Sequence, residues 1–195
     1  LMPTKPWKSE TQGREWLIGD TLNAAIGQGF VLASPLQLAV MTARLATGRA
    51  VAPRLVKSIN GVETPIAPTP AVDVDPRHME IIREGMRGVT GKRDGTAWSS
   101  RIVEDSLKIA GKTGTSQVRN ITVAERERGV TANEDLPWDR RDHALFVCYG
   151  PVEAPRVAVS VLVEHGGGGS TAAAPIGRDV ILYAMSGGMP PLSAY

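Results

Sequence analysis

Two apolar segments with a short connector between them constrain the fold of this chain most. HALFVCYG (143–150) and RVAVSVLVE (156–164) have the length and composition of β-strands, and valines alternate along the second. Only the five residues PVEAP separate them, a spacing that is typical of a hairpin. We therefore expect an antiparallel pair of strands near the centre of the fold.

Three segments have the pattern of helices: 34–48, 75–89 and 171–185. Ser34 is a suitable N-cap for the first, and Gly48 suits the position just after its end. The second starts with an Asp N-cap and a proline, and its apolar stripe comprises Met79, Ile82, Met86 and Val89. With a strand over 106–118, this order predicts an α/β fold of the α+β type, an antiparallel sheet flanked by helices.

The remaining segments carry turn and loop signals. Residues 1–33 are rich in proline and glycine and are expected to be loops, whereas 51–62 resembles a strand or hairpin with an Asn60-Gly61 turn. Residues 119–142 form a long charged stretch with five arginines against six acidic residues. Mixed signs favour a solvated loop over a contact with a partner or glycan. HGGGGS (165–170) is a flexible joint or a phosphate nest.

Composition limits the classes of function. A chain of 195 residues with 42% hydrophobic residues suits one globular domain, and its net charge of +2 gives no argument for nucleic-acid binding. Cys148 is the single cysteine, so we expect a buried thiol and no internal disulfide. The three histidines form no HExxH motif and there is no CxxC, so neither a metal site nor a cofactor is predicted. No apolar run has the length of a membrane helix.

The stretch IAGKTGTSQV (109–118) carries the most specific chemistry. Gly111-Lys112-Thr113 ends like a phosphate-binding Walker A loop, but the glycine that this motif needs earlier is replaced by Ser106. The residues after it favour a strand, not the helix that would present N–H groups to a phosphate. The remaining interpretations are a plain strand with a surface lysine and the Lys-Thr-Gly strand of the penicillin-recognising serine enzymes.

The second interpretation has a physical basis. An edge strand offers unpaired N–H and C=O groups, so that an extended peptide can add alongside it. Gly114 would let the peptide approach, Lys112 would supply a positive charge, and the hydroxyl of Thr113 could bond a terminal carboxylate. The N–H of Thr115 could serve as one oxyanion donor.

The surrounding sequence favours this interpretation. AAIGQGFVLASPLQLAVMTARLATGRAVAPRLV (24–56), GMRGVTGKRDGTAW (85–98), IAGKTGTSQV, DHALFVCYGP and VAVSVLVEHGGGGS resemble, in order, the transpeptidase domain of class B penicillin-binding proteins, specifically the elongation-type penicillin-binding protein 2 group. The resemblance covers nearly the whole chain, and it implies that HGGGGS (165–170) follows the last strand and leads into the final helix beside the active site. It implies a D,D-transpeptidase that acts on the D-Ala-D-Ala end of peptidoglycan stem peptides and is acylated by β-lactams.

The resemblance also shows which motifs the 195 residues lack. No serine is followed three residues later by lysine, so the S-x-x-K nucleophile is absent, and Ser58-Ile59-Asn60 lies too late to be the S-x-N motif. We expect residues 1–195 to be the C-terminal part of one transpeptidase domain, with both motifs and a membrane anchor upstream. Lys112, Thr113 and Gly114 then match the substrate-binding positions, and Thr115 provides the oxyanion N–H.

The implied setting is the periplasmic face of the bacterial inner membrane. The implied partners are the rest of the same domain and membrane proteins of cell elongation. The alternative is a non-catalytic domain of the cell-wall morphogenesis machinery that binds peptide or a partner. An S-x-x-K motif in the parent protein would favour the transpeptidase, and its absence would favour the non-catalytic domain.

Overall fold

The computed structural model describes residues 1–119, 121–190 and 192–195. These residues form two compact units, Leu1–Ser34 and Pro35–Tyr195. The second, larger unit contains the strand with Lys112-Thr113-Gly114.

The first unit contains two short helices, α1 (Lys5–Gln12) and α2 (Ile18–Ala25), so the prediction of loops over 1–33 was wrong. The Thr4 side chain accepts a hydrogen bond from the backbone N–H of Trp7, and Gly13 ends α1 in the left-handed conformation with φ 62°. Helices of eight residues are too short to show a clear apolar period. For α1 the caps were the available sequence signal, because Thr4 and Gly13 are typical N- and C-terminal residues of helices.

The second unit is built on a three-stranded antiparallel sheet in the order β3–β4–β5. The strands are β3 (Ala110–Ser116), β4 (His143–Gly150) and β5 (Val157–Val163). The β4–β5 hairpin predicted from the valine-rich segments is confirmed. In the register of β3 against β4, Gly111 pairs with Cys148 and Gly114 pairs with Leu145.

Helices cover both faces of this sheet, as predicted. On one face, α6 (Ala174–Ser186) packs Ile181, Leu182 and Met185 against the alternating β4 residues Ala144, Phe146 and Cys148. On the other face, Tyr149 and Ala110 pack against Ala46 of α3 (Pro35–Thr47) and Met86 of α4 (Pro76–Gly91). Alternation along β4 therefore explains why nearly all of this strand is buried.

Several predicted boundaries shift by a few residues. The predicted strand over 106–118 is shortened to β3, since 105–107 form a 3-10 turn. The last helix begins at Ala174, where Pro175 fits the first turn, and a π-helical turn precedes it. Asp75 caps α4 as predicted, but Ile82 of the proposed apolar stripe is 41% exposed. The Asn60-Gly61 turn is confirmed, between the two-residue strands β1 (Ser58–Ile59) and β2 (Val62–Glu63).

The charged stretch 119–142 contains more structure than predicted. It holds helix α5 (Val123–Arg128) and two 3-10 turns, at Asn133–Asp135 and Trp138–Arg140. The Thr122 side chain accepts a hydrogen bond from the N–H of Glu125, whose carboxylate receives two hydrogen bonds of 2.7 Å from the guanidinium of Arg119. The two hydrogen bonds from Arg119 hold the pKa of the Glu125 carboxyl group below its usual value. The sequence Thr-x-x-Glu at 122–125 is a typical helix-start signal.

Candidate active site

The Lys-Thr-Gly segment lies on an edge strand. β3 pairs with β4 on one side, and no other strand of the described part of the chain pairs with its second side. Lys112 lies within this strand and does not begin a helix, so the Walker A interpretation is wrong. The strand presents free backbone groups along an open edge, which is the arrangement that an added peptide strand requires.

Lys112 provides an uncompensated charge at this edge. Its side chain is exposed, and its Nζ donates a hydrogen bond of 2.5 Å to the carbonyl oxygen of Thr113. None of the ion pairs among residues 1–119, 121–190 and 192–195 includes Lys112. By contrast, nearby Lys108 forms an ion pair with Asp105 at 2.5 Å. The Lys112 ammonium can therefore receive an external anion without first losing a carboxylate partner.

Thr113 has a side-chain partner that sequence analysis missed. Its Oγ1 lies 2.9 Å from Oγ1 of Thr96, and either hydroxyl can donate. Thr96 belongs to the segment GKRDGTAW, which carried part of the family resemblance, but a threonine in a loop gave no signal of its own. The contact restrains the rotamer of Thr113, and when Thr96 is the donor it leaves the Thr113 O–H free to donate to a carboxylate.

Thr115 continues the open edge. It is exposed and pairs with Ala144 of β4. Along an extended strand the N–H and C=O groups alternate in direction, so the N–H of Thr115 points the same way as the carbonyl of Thr113. That carbonyl is the group that the Lys112 ammonium contacts. The geometry therefore allows one cation and one backbone donor to act on the same ligand.

A second backbone segment lies close to Gly114, as expected for a glycine within a strand. This segment contains Gly169 and belongs to the same chain, not to an added peptide. A Cβ on Gly169 would lie 2.4 Å from the carbonyl oxygen of Gly114 and 2.3 Å from that of Leu145. A Cβ on Gly114 itself would meet only Leu145 Cβ, at 3.4 Å. The steric requirement for glycine is therefore strong at 169 and weak at 114. The HGGGGS segment, Gly169 included, lies beside the Lys-Thr-Gly strand.

Other candidate residues do not join this site. Cys148 is buried, as predicted, with Sγ 3.9 Å from the carbonyl oxygen of Gly177, and burial raises its thiol pKa to about 12. Ser58, Ile59 and Asn60 are exposed in the β1–β2 hairpin, which agrees with their interpretation as a chance S-x-N match.

In the described part of the chain, no three His, Cys, Asp or Glu side chains are grouped so that they could hold a metal ion. No helix in residues 1–119, 121–190 and 192–195 has both the length and the apolar character of a membrane span.

Comparison with known proteins places this geometry in a family. The penicillin binding protein transpeptidase domain matches residues 6–182. The chain is 35% identical to the peptidoglycan D,D-transpeptidase MrdA of Haemophilus influenzae, over 100% of this chain and 30% of that protein. It therefore spans less than a third of the length of this relative.

Solved structures agree. The chain is similar to Pseudomonas aeruginosa PBP2 in complex with WCK 5153, with a TM-score of 0.72 and 36% identity, over 100% of this chain and 39% of that one. It is also similar to Helicobacter pylori PBP2 in its complex with MreC, with a TM-score of 0.72 and 31% identity, over 95% and 31% of the two chains. The chain therefore belongs to the penicillin-binding protein transpeptidase family, and its relatives include PBP2 proteins.

Proposed function

We propose that this chain supplies the Lys-Thr-Gly strand of a peptidoglycan D,D-transpeptidase of cell-wall elongation. The observation that carries the proposal is the open edge of β3, where Lys112 has no carboxylate partner among the described residues. In the complete protein, residues 1–195 would be the C-terminal part of one domain, and the S-x-x-K serine would lie upstream.

Each residue has a role in this proposal. The serine Oγ attacks the carbonyl carbon of the penultimate D-alanine, the terminal D-alanine leaves, and the acyl group passes to an amine of a neighbouring stem peptide. Lys112 and Thr113 bind the substrate carboxylate. Gly114 leaves room for the peptide, and the Thr115 N–H stabilises the oxyanion of the tetrahedral intermediate. A β-lactam would acylate the same serine.

The relatives suggest a setting and partners. One solved relative is a complex between PBP2 and MreC, and another is part of a peptidoglycan synthase complex. By analogy, we propose that the complete protein is anchored in the inner membrane, faces the periplasm and binds membrane proteins of the elongation machinery.

Acylation by a fluorescent penicillin tests the proposed function. The complete protein should form a stoichiometric covalent adduct, whereas residues 1–195 alone should form none, because they lack the nucleophile. Lys112→Ala should slow acylation of the complete protein by about ten- to a hundredfold, since a hydrogen bond to a charged group contributes roughly 1.5–3 kcal/mol. Melting temperature should change little, because Lys112 is exposed.

Lys108→Ala is the matched control, since Lys108 lies four residues earlier and pairs with Asp105. It should acylate at the wild-type rate. A Lys112→Ala rate within twofold of wild type would assign Lys112 to the solvated surface. If the complete protein contained no S-x-x-K and formed no adduct, a non-catalytic peptide- or partner-binding domain would be the better description.

A further inference from the structure

Two histidines contact each other near the start of the segment between β5 and α6. His165, the second residue after β5, adopts a left-handed backbone conformation with φ 53°, which is uncommon for a residue other than glycine. The backbone N–H of His165 donates to Nδ1 of His143 at 2.9 Å. Its own ring Nδ1 lies 2.8 Å from the carbonyl oxygen of Arg141. Two side-chain hydrogen bonds therefore fix the residue at which the chain leaves β5.

These hydrogen bonds require particular tautomers. Nδ1 of His143 must be unprotonated to accept from an N–H, so the ring proton of neutral His143 lies on Nε2. Nδ1 of His165 must carry a proton, because its partner is a carbonyl oxygen and can only accept. The two rings are also in edge contact, with centroids 4.7 Å apart. The indole of Trp138 packs against the ring of His165, with the two ring centroids 4.4 Å apart.

A second set of hydrogen bonds continues from the histidines into the glycine run. Gly167 donates its N–H to the carbonyl oxygen of Asp142 at 2.9 Å. The N–H of Asp142 donates to Oδ1 of Asn133 at 3.0 Å, and its carboxylate accepts from the N–H of Val118, just beyond β3, at 3.3 Å. The residues before β4 therefore bind both the glycine run and the end of the Lys-Thr-Gly strand.

The glycine run then reaches Gly114. Gly169 lies so close to the backbone of Gly114 and Leu145 that it has no space for a Cβ. The position of the 165–169 segment thus determines how tightly the backbone of β3 is confined at Gly114. Gly114 lies directly between Thr113 and Thr115. Movement of this segment would release the backbone next to the oxyanion donor.

We propose that His143 and His165 are positioning residues that hold the 165–169 segment against the backbone of Gly114. Neither touches the reacting atoms; both act through Gly169 on Lys112-Thr113-Gly114-Thr115. This inference rests on the proposed transpeptidase function for its kinetic consequence, but its structural consequence can be measured separately.

Asparagine can replace either ring nitrogen, which gives a rescue test. The Oδ1 of asparagine can accept as Nδ1 of His143 does, and its Nδ2 can donate as Nδ1 of His165 does. Asparagine also tolerates the left-handed conformation of residue 165. In the complete protein, His143→Ala and His165→Ala should lower the acylation rate constant by about three- to tenfold, the loss expected from one or two neutral hydrogen bonds. The noncovalent affinity for penicillin should stay within twofold.

His143→Asn and His165→Asn should return acylation to within twofold of wild type. His78→Ala is the matched control, because His78 lies exposed on α4. Amide hydrogen exchange supplies the readout that does not depend on catalysis. In the alanine variants, exchange at Gly114 and across Gly166–Gly169 should rise at least threefold, while exchange at Val147 in the middle of β4 stays unchanged.

The outcomes separate the two proposals. A wild-type protein that penicillin does not acylate would reject the proposed function, and the exchange experiment would still decide on the histidines. Unchanged exchange at Gly114 in both alanine variants would overturn the positioning role, as would asparagine variants no better than alanine. If an alanine variant does not fold, Trp138→Ala replaces it, since Trp138 is 61% exposed and its ring packs against that of His165. Trp138→Ala should give the same local rise in amide exchange. If exchange did not rise in this variant, the positioning role would be contradicted.

Discussion

The two halves of β3 differ although they belong to one seven-residue strand. Ala110 and Gly111 are buried, whereas Lys112, Thr115 and Ser116 are exposed and Thr113 and Gly114 are half-buried. The first half lies between α4 and the β4 core, and the second half runs along an open edge. One strand therefore joins a packed core to a surface that can take a ligand, and the core keeps the ligand-binding half in register.

The two glycines of β3 illustrate this difference. A Cβ on Gly111 would lie 2.6 Å from the Val147 carbonyl oxygen and 2.8 Å from Cζ of Phe146, whereas one on Gly114 would have only the 3.4 Å contact with Leu145. Gly111 is thus required by packing inside the protein. Gly114 has no comparable internal requirement, so its role is tied to whatever binds at the edge. Gly111 and Gly114 are therefore the same residue type in one strand for two different physical reasons.

The largest expected effect concerns Cys148, opposite Gly111 in the buried half. Burial raises its thiol pKa from 9.0 to about 12, so the thiolate fraction at pH 8 falls roughly a thousandfold. Native protein should therefore resist alkylation by iodoacetamide, and protein in denaturant should react at the rate of a free thiol. Rapid labelling of the native state would mean that this end of the sheet is open.

The next effect compares Gly111→Ala with Gly114→Ala. The first should destabilise the protein by about 2–3 kcal/mol, because a methyl group must displace a strand carbonyl or Phe146. The second should change stability by no more than about 0.5 kcal/mol. Urea unfolding of both variants checks this, and equal losses would contradict the proposed difference between the halves.

A smaller effect is expected at the junction before β3. The Thr90 hydroxyl is buried and donates to the Ile109 carbonyl oxygen at 2.6 Å. Thr90→Val keeps the shape but leaves that carbonyl without its partner, which should cost about 1–2 kcal/mol in the free energy of unfolding. Thr90→Ser restores the donor and should recover most of the loss in the same urea titration. Failure of serine to recover it would indicate that packing dominates here.

The buried parts of the fold were the most predictable from sequence. The β4–β5 hairpin, α3, α4 and α6 each have apolar periodicity over seven or more residues, so their pattern identified them. The helices α1, α2 and α5 were missed because they bury few side chains, and the start of α1 and of α5 is marked only by the caps Thr4 and Thr122. Local hydrogen bonds of that kind leave a signal of only one or two residues.

The candidate site was predictable only in part. The motif identified Lys112-Thr113-Gly114, and the edge position of β3 agreed with the expectation. Thr96 and Gly169 reach the strand from distant parts of the sequence, and His143 contacts His165 just before the glycine run, through contacts that no local spacing encodes. Such contacts depend on tertiary packing, which places the segment after α4 and the segment after β5 on the same strand.

The smallest effect concerns the open half of β3, through Thr96. Thr96→Val removes the hydroxyl that lies 2.9 Å from the Thr113 hydroxyl. Because this contact is exposed, stability should change by less than about 0.5 kcal/mol. Acylation of the complete protein by penicillin should nevertheless slow by about two- to tenfold, since Thr113 loses the bond that fixes its rotamer. Thr96→Ser should acylate like wild type. A valine variant that lost stability but not acylation would show that Thr96 supports the fold, and the open half would then resemble the buried half.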